Sequence, residues 1–221
     1  MALACDTPAP GIVVCQPRRG FRYGAEAFWL AGFALEPGVP GAAVDLGTGS
    51  GIVAFLLAGR GVDVVGYDRR EEWSPLWERS LGASSTAGQV RLEIRDITGG
   101  VPGRVELVVA NPPFFPVGSG PTSPDPWKAS ARTESSARLG DFVRTGLAAL
   151  VPGGRLCLVI PVERGPQAEL AAPEGHLRRR VRVGGRRVLL EWSAVSTDLV
   201  EDLHLAEGDP RVRGWYRAVG A

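Results

Sequence analysis

The sequence is poor in the residues that build metal and disulfide frameworks. Its three cysteines, Cys5, Cys15 and Cys157, form no C-x-x-C pair, and its two histidines, His176 and His204, have no companion at ligand spacing. Neither disulfides nor a zinc site is expected, and no metal is assigned. Lysine is nearly absent, Lys128 being the only one, so arginine carries the positive charge; the formal net charge is +1. That balance neither demands a polyanionic partner nor forbids a local basic patch. No charged stretch followed by an apolar one opens the chain, and no apolar run approaches the length of a bilayer span. The expectation is a protein without a membrane segment, with the cytoplasm as its default address. Internal repeats and low-complexity tracts are also missing.

What is present suits one core. At 221 residues and 44% hydrophobic content the chain reads as a single domain, 1–221. From residue 42 onward, short β-branched runs alternate with helical stretches. "AAVDL" (42–46) and "VDVVGY" (62–67) read as buried parallel strands, "GIVAFLLAG" (51–59) as the helix between them, "QVRLEIR" (89–95) as a more exposed strand and "VELVVA" (105–110) as another buried one. A loop at 116–127, "PVGSGPTSPDPW", is too broken by proline and glycine for a helix or strand and reads as a flap over 116–130. Residues 134–154 have helical spacing and end in Pro152-Gly153-Gly154 before the strand "RLCLVI" (155–160). "RRRVRVGGRRVLLEWSAV" (178–195) reads as a hairpin around Gly184-Gly185. Repeated βα units imply an α/β doubly wound sheet, mostly parallel, ending in an antiparallel pair.

"VDLGTGSG" (44–51) leaves a buried strand and enters a helix with glycines at 47, 49 and 51. Glycine lets the backbone turn sharply and approach a ligand closely. A dinucleotide fingerprint would want a glycine where Ile52 stands, and the G-K-[ST] of a phosphate loop is absent. Instead, acidic residues end three successive strands. Asp45 sits where a cationic amine could lie, Asp68 where carboxylates grip ribose hydroxyls, and Asp96 follows the third strand. Alone, each would pass for a helix cap or a solvated carboxylate. The fourth strand runs into Asn111-Pro112-Pro113-Phe114; taken alone, the prolines would do no more than end it.

Together and in this order, Asp45-Leu-Gly-Thr-Gly-Ser-Gly51, Asp68, Asp96 and Asn111-Pro-Pro-Phe114 resemble class I methyltransferases that bind S-adenosylmethionine. The resemblance implies a Rossmann-like fold with Gly47 and Gly49 against the methionine moiety, Asp68 on the ribose, and Asp96 with Ile97 around adenine. Asp45, Thr48 and Gly51 complete the cofactor site, which Asn111 borders. In such enzymes the [ND]-P-P-[YFW] motif holds a planar amine. An amine whose lone pair is delocalised is a poor nucleophile; two acceptors on its N–H groups, the Asn111 side-chain oxygen and the Pro112 carbonyl, would favour a pyramidal nitrogen aimed at the methyl donor. Pro112 and Pro113 hold the backbone stiff and Phe114 would stack on the planar group.

The motif is shared by enzymes acting on adenine N6, on guanine N2 of ribosomal RNA and on glutamine of release factors. Only about 40 residues precede Asp45, little room for the helical domain of the glutamine enzymes. Over nearly its whole length the chain resembles the small bacterial N6-adenine methyltransferases of tRNA, which act beside the anticodon. The similarity runs through "QPRRGFRYGAEAFWLAGF" (16–33, with Glu26 where Asp is more usual), "ARTE" (131–134), "LVPGGRLCLVIPVER" (150–164), "RRVLLEW" (186–192) and "LHLAEGDPRVRGWY" (203–216). Residues 1–40 then form a substrate-side segment and 41–221 the catalytic core. Arg22, Trp127, Arg132 and Glu134 are substrate-side candidates. Arg178, Arg179, Arg180, Arg182, Arg186 and Arg187, with Arg18, Arg19 and Arg22, are either a tRNA-binding basic face or a solvated one. Another planar amine as acceptor, or a cofactor-binding module without catalysis, remains an alternative.

Overall fold

The computed structural model describes residues 3–18, 22–113, 138–173, 175–196 and 201–221. In chain order its strands and α-helices are β1 (Leu3–Ala9), β2 (Ile12–Pro17), α1 (Ala25–Leu35), β3 (Ala42–Leu46), α2 (Ile52–Ala58), β4 (Asp63–Asp68), α3 (Ser74–Ala83), β5 (Val90–Ile94), β6 (Val105–Ala110), α4 (Leu139–Ala148), β7 (Leu150–Pro161), α5 (Gly165–Leu170), β8 (His176–Val183), β9 (Arg187–Ser193), β10 (Glu201–Leu205) and α6 (Pro210–Ala218). β1 and β2 form a separate antiparallel hairpin. The others make one eight-stranded sheet in the order β10-β8-β9-β7-β6-β3-β4-β5, in which only β9 runs against the rest.

The period-two alternation of the strands divides the core. Ala43, Leu107, Val109, Cys157 and Val159 face α1, α2 and α6, while Val44, Leu46, Val108, Ala110, Leu156 and Leu158 face α4 and α5. Both faces being covered explains why β3 and β6 are apolar in every position but one or two. α1 and α6 approach closely on the first face. A Cβ on Gly32 would stand 2.3 Å from the Trp215 Cβ, and Phe33 meets the Trp215 ring edge-on at 5.8 Å. β5, at the sheet's end, is exposed on alternate and final positions, as its mixed sequence implies.

Topology fixes where a ligand can sit. From β3 the chain steps outward through β4 and β5, then returns across β3 to β6 and β7. The carboxyl ends of β3 and β6 therefore flank the point where strand order reverses, which opens a crevice in doubly wound sheets. Leu46 pairs with both Tyr67 and Ala110, so Gly47, Asp68 and Asn111 each lie one residue beyond a common rank.

Three expectations are corrected. Cys5 and Cys15 are disulfide-bonded, because the β1–β2 hairpin sets them directly opposite one another with Cα atoms 4.0 Å apart; no C-x-x-C spacing is needed when antiparallel register does the pairing. Pro152-Gly153-Gly154 does not separate helix from strand. It lies inside β7, with Gly153 at φ +80° and a register shift against β6. The β8–β9 hairpin forms as read around Gly184 and Gly185, at φ +59° and +67°, but β10 pairs parallel to β8 and extends the sheet beyond it. Among the described residues no helix is long and apolar enough to cross a membrane, and no group of three or more His, Cys, Asp or Glu is placed to hold a metal ion.

Candidate active site

The glycine loop is built on three left-handed glycines, Gly47 (φ +68°), Gly49 (φ +55°) and Gly51 (φ +83°), a backbone course that side-chain-bearing residues adopt only under strain. At Gly47 a Cβ would also press the Phe142 ring at 2.9 Å. At Gly49 it would meet nothing nearer than Trp73 at 3.8 Å, so this glycine leaves open space in front of the loop. The loop is fastened from behind. The Thr48 N–H donates to the Tyr67 carbonyl of β4 at 2.9 Å, and the Trp77 indole N–H of α3 donates to the Gly49 carbonyl at 2.7 Å.

Asp45 lies beneath the loop, 2% exposed, and accepts from the Thr48 hydroxyl at 2.6 Å. Burial pushes its carboxyl up to about 7 from an ordinary 3.8; hydrogen bonds from Thr48 and the Ala54 backbone work against that rise, and the Asp68 charge adds to it. A buried carboxyl that has hydrogen-bond donors but no cation among the described residues is a place where a cation is welcome. Asp68 spans two elements. One oxygen accepts from the Gly49 N–H at 3.0 Å, and the other accepts from the Arg70 N–H at 3.0 Å and side chain at 3.2 Å. Arg70 in turn lies over the Trp73 ring at 4.9 Å.

Asp96 is exposed and caps the short turn Ile97–Gly99 by accepting from the Thr98 N–H at 2.9 Å and hydroxyl at 2.8 Å. The backbone hydrogen bond and the hydroxyl hold its carboxyl below the ordinary value. Ile97 is buried, and its carbonyl accepts from the Thr145 hydroxyl of α4 at 2.9 Å. The ordinary capping role that such an aspartate can have is the one realised at this turn.

At the end of β6, the Asn111 side-chain oxygen is buried and has no hydrogen-bond partner among the described residues. Pro112 is buried and Pro113 half-buried. The Pro113 carbonyl accepts from Arg164 Nη1 at 3.1 Å. Arg164, Gln167, Trp77 and Arg70 hold the loop and the motif in place, and sequence reasoning passed over all four. Arg164, Gln167 and Trp77 act from other elements, so no local spacing announces them, whereas Arg70 stands two residues beyond Asp68. Phe114, Trp127, Arg132, Glu134 and the 116–130 flap lie outside the described residues, as does Arg19. Arg22 is half-exposed and pairs with Asp6 of β1 at 2.6 Å.

Four of the six hairpin arginines are engaged in ion pairs. Arg179 pairs with Glu36 at 2.7 Å and Glu191 at 2.6 Å, Arg180 with Glu169 at 2.6 Å and Asp202 at 2.7 Å, Arg182 with Asp202, and Arg187 with Glu26 at 3.0 Å. A cavity of about 520 Å³, lined by Glu36, Pro37, Arg178, Arg179, Glu201 and Arg211, opens at the amino ends of β8 and β10, away from the glycine loop. Its walls include the Arg179–Glu36, Arg211–Glu36 and Arg211–Glu201 pairs.

Known proteins resemble the chain in sequence and in fold. No family model matches the chain. It is 33% identical over 180 residues to the tRNA1(Val) (adenine(37)-N6)-methyltransferase of Tolumonas auensis, covering 76% of this chain and 75% of that one. It is 26% identical over 209 residues to the enzyme of the same name from Citrobacter koseri, covering 88% and 84%. Among solved structures, a predicted O-methyltransferase from Agrobacterium tumefaciens superposes with a TM-score of 0.65 at 19% identity, over 89% of this chain and 97% of that one, which shows the shared fold. On its sequence relatives, the chain belongs to the tRNA1(Val) adenine-N6-methyltransferase family.

Proposed function

We propose that the protein transfers a methyl group from S-adenosylmethionine to the N6 amine of an adenine in tRNA, near the anticodon. The observation that carries the reading is the Asn111 side-chain oxygen, buried and unpartnered among the described residues at the mouth of β6. A buried acceptor without a donor costs about 1–3 kcal/mol. Such an atom persists where a ligand's N–H completes it, and an exocyclic amine has two hydrogens to give, one for Asn111 and one for the Pro112 carbonyl.

The residues present fit the cofactor. Asp45, held partly protonated by burial, would ionise against the ammonium of the amino-acid moiety, and Gly49 leaves the space for it to approach. Asp68, with both oxygens already accepting from Gly49 and Arg70, would still have lone pairs for ribose hydroxyls. Asp96 and Ile97 would border the adenine. When bound, S-adenosylmethionine supplies a methyl group on a positively charged sulfur. The chain's own task is then to orient the acceptor: Asn111 and Pro112 draw the amine hydrogens into line and turn the nitrogen lone pair towards the donor, while the proline rings prevent retreat. No strong base is required, because methylation acidifies the departing N6 proton. Phe114 is the stacking plate in this reading, with Arg22, Trp127, Arg132 and Glu134 on the tRNA side; residues 1–40 would border the substrate and 41–221 form the core of one domain.

Incubation with labelled S-adenosylmethionine and either total tRNA or purified release factor tests the reading. Label should enter tRNA and appear as N6-methyladenosine on nucleoside mass spectrometry. Label confined to the release factor, or entering neither, would sink it.

A further inference from the structure

We propose that Arg164 is a positioning residue for methyl transfer: its guanidinium fixes the Pro113 carbonyl and thereby the direction in which the acceptor-binding segment leaves β6. The proposal rests on the reading of Asn111-Pro112-Pro113 as the acceptor site.

Arg164 is only 6% exposed, an uncommon state for arginine unless its donors are engaged. It ends the short turn Val162–Arg164 that follows β7, the neighbour of β6, where Ala110 lies opposite Leu158. The turn folds the side chain back over the end of β6. Nε and Nη2 both donate to the Gln167 side-chain oxygen of α5, at 3.2 and 2.9 Å, and Nη1 reaches the Pro113 carbonyl oxygen at 3.1 Å. One planar group is thus clamped along one edge to α5 and aimed along another at the motif. Lysine, a single flexible point of charge, cannot hold both partners in a fixed plane.

The backbone explains why this carbonyl needs holding. Proline rings set φ at positions 112 and 113 but leave ψ at 113 free. Rotation about that ψ swings the Pro113 carbonyl and, with it, the point from which residue 114 starts. A charge-assisted hydrogen bond on the carbonyl removes that freedom. Rings and guanidinium together therefore fix the backbone from Asn111 to Pro113, leaving Asn111 and the Pro112 carbonyl available to the acceptor.

The test compares Arg164→Gln, Arg164→Lys and Gln167→Ala with the wild type, in the full chain. Expected for Arg164→Gln is a fall in kcat of about ten- to hundredfold, the scale of a slightly misplaced reactant, with S-adenosylhomocysteine affinity within about twofold by calorimetry. Arg164→Lys should recover part of the loss. Gln167→Ala, which removes the α5 acceptor but keeps the guanidinium, should fall between, and it carries the test if Arg164→Gln does not fold. In protein labelled with ¹³C-carbonyl proline, the Pro113 signal should move in Arg164→Gln. An unchanged kcat, a kcat that falls only in step with cofactor affinity, or an unmoved Pro113 signal would overturn the proposal. Failure of the wild type to methylate tRNA would instead overturn the acceptor reading, and the carbonyl signal still reports on Arg164.

Discussion

The two ends of the sheet treat buried polarity in opposite ways. At the amino ends of β8 and β10, Arg211 meets Glu36 at 2.8 Å and Glu201 at 2.8 Å, Arg179 joins Glu36 to Glu191, and Arg155 reaches Glu191 at 3.3 Å and the Ala34 carbonyl at 2.9 Å. Burial alone would raise the Glu36 carboxyl; hydrogen bonds from Arg211 and Trp215, with the Arg211 and Arg179 charges, bring it below its ordinary value instead. At the carboxyl ends of β3 and β6, Asp45 is buried without a cation and the Asn111 oxygen without a donor among the described residues. Paired charge holds elements together at the first end, where one donor, Arg179 Nε, is still buried without a partner among the described residues; at the second end the unpartnered acceptor faces the crevice, where a ligand can complete it.

The largest effect that would break this contrast is expected at Asn111. Asn111→Ala should lower kcat by about 10²–10³ or more, the scale of losing a preorganised polar group at a reacting centre. S-adenosylhomocysteine affinity should stay nearly unchanged. Stability should not fall, because the variant removes a buried acceptor that has no partner among the described residues. A large loss of cofactor binding, or a much lower midpoint in urea, would make Asn111 structural and erase the distinction between the two ends.

The opposite signature is expected at Arg179. Its guanidinium lies on the Phe33 ring at 3.8 Å, donates to the Phe33 carbonyl at 2.8 Å and pairs with Glu191, which is only 1% exposed. Arg179→Met leaves that carboxylate with the more distant Arg155 and the Cys157 thiol among the described residues and should cost about 3 kcal/mol in urea unfolding. kcat per folded molecule and the salt dependence of tRNA binding should be unaltered. A shallower salt dependence would show that Arg179 touches phosphate and would mark the hairpin as an RNA surface.

That contrast also separates what the sequence could reveal from what it could not. The glycine loop, Asp45 and Asn111-Pro112-Pro113 were legible because strand ends in a parallel sheet share a level, so residues at the end of each apolar run meet without further information. Asp96 was legible as a position just past β5, and its cap on Thr98 is made two residues on. The fate of the arginines was hidden. Arg179 is 143 residues from Glu36 and Arg211 is 175 from it, so no local pattern predicts either pair. The Cys5–Cys15 bond and the Arg164 contact were hidden for the same reason, since both follow from register and turn geometry, not from spacing along the chain.

The smallest effect sharpens the contrast by titration. With its carboxyl at about 7, against an ordinary 3.8, Asp45 is protonated in the free protein over the range where an unfolded chain would already have released the proton. Its contribution to stability is therefore present below the unfolded value and lost as pH rises through about 7. Binding of an ammonium-bearing ligand has the reverse dependence, since it requires the ionised form. S-adenosylhomocysteine affinity should be level just above pH 7 and weaken by about tenfold per pH unit well below it. Asp45→Asn should bind more weakly at pH 7.5 and show no such slope. Calorimetry across pH distinguishes the outcomes: a slope that survives in Asp45→Asn assigns the proton to another group, and a flat wild-type profile means that Asp45 does not face the ligand's charge. The first outcome would move the unsatisfied charge elsewhere at the carboxyl end, and the second would leave the Asn111 oxygen to mark the ligand's place without help from Asp45.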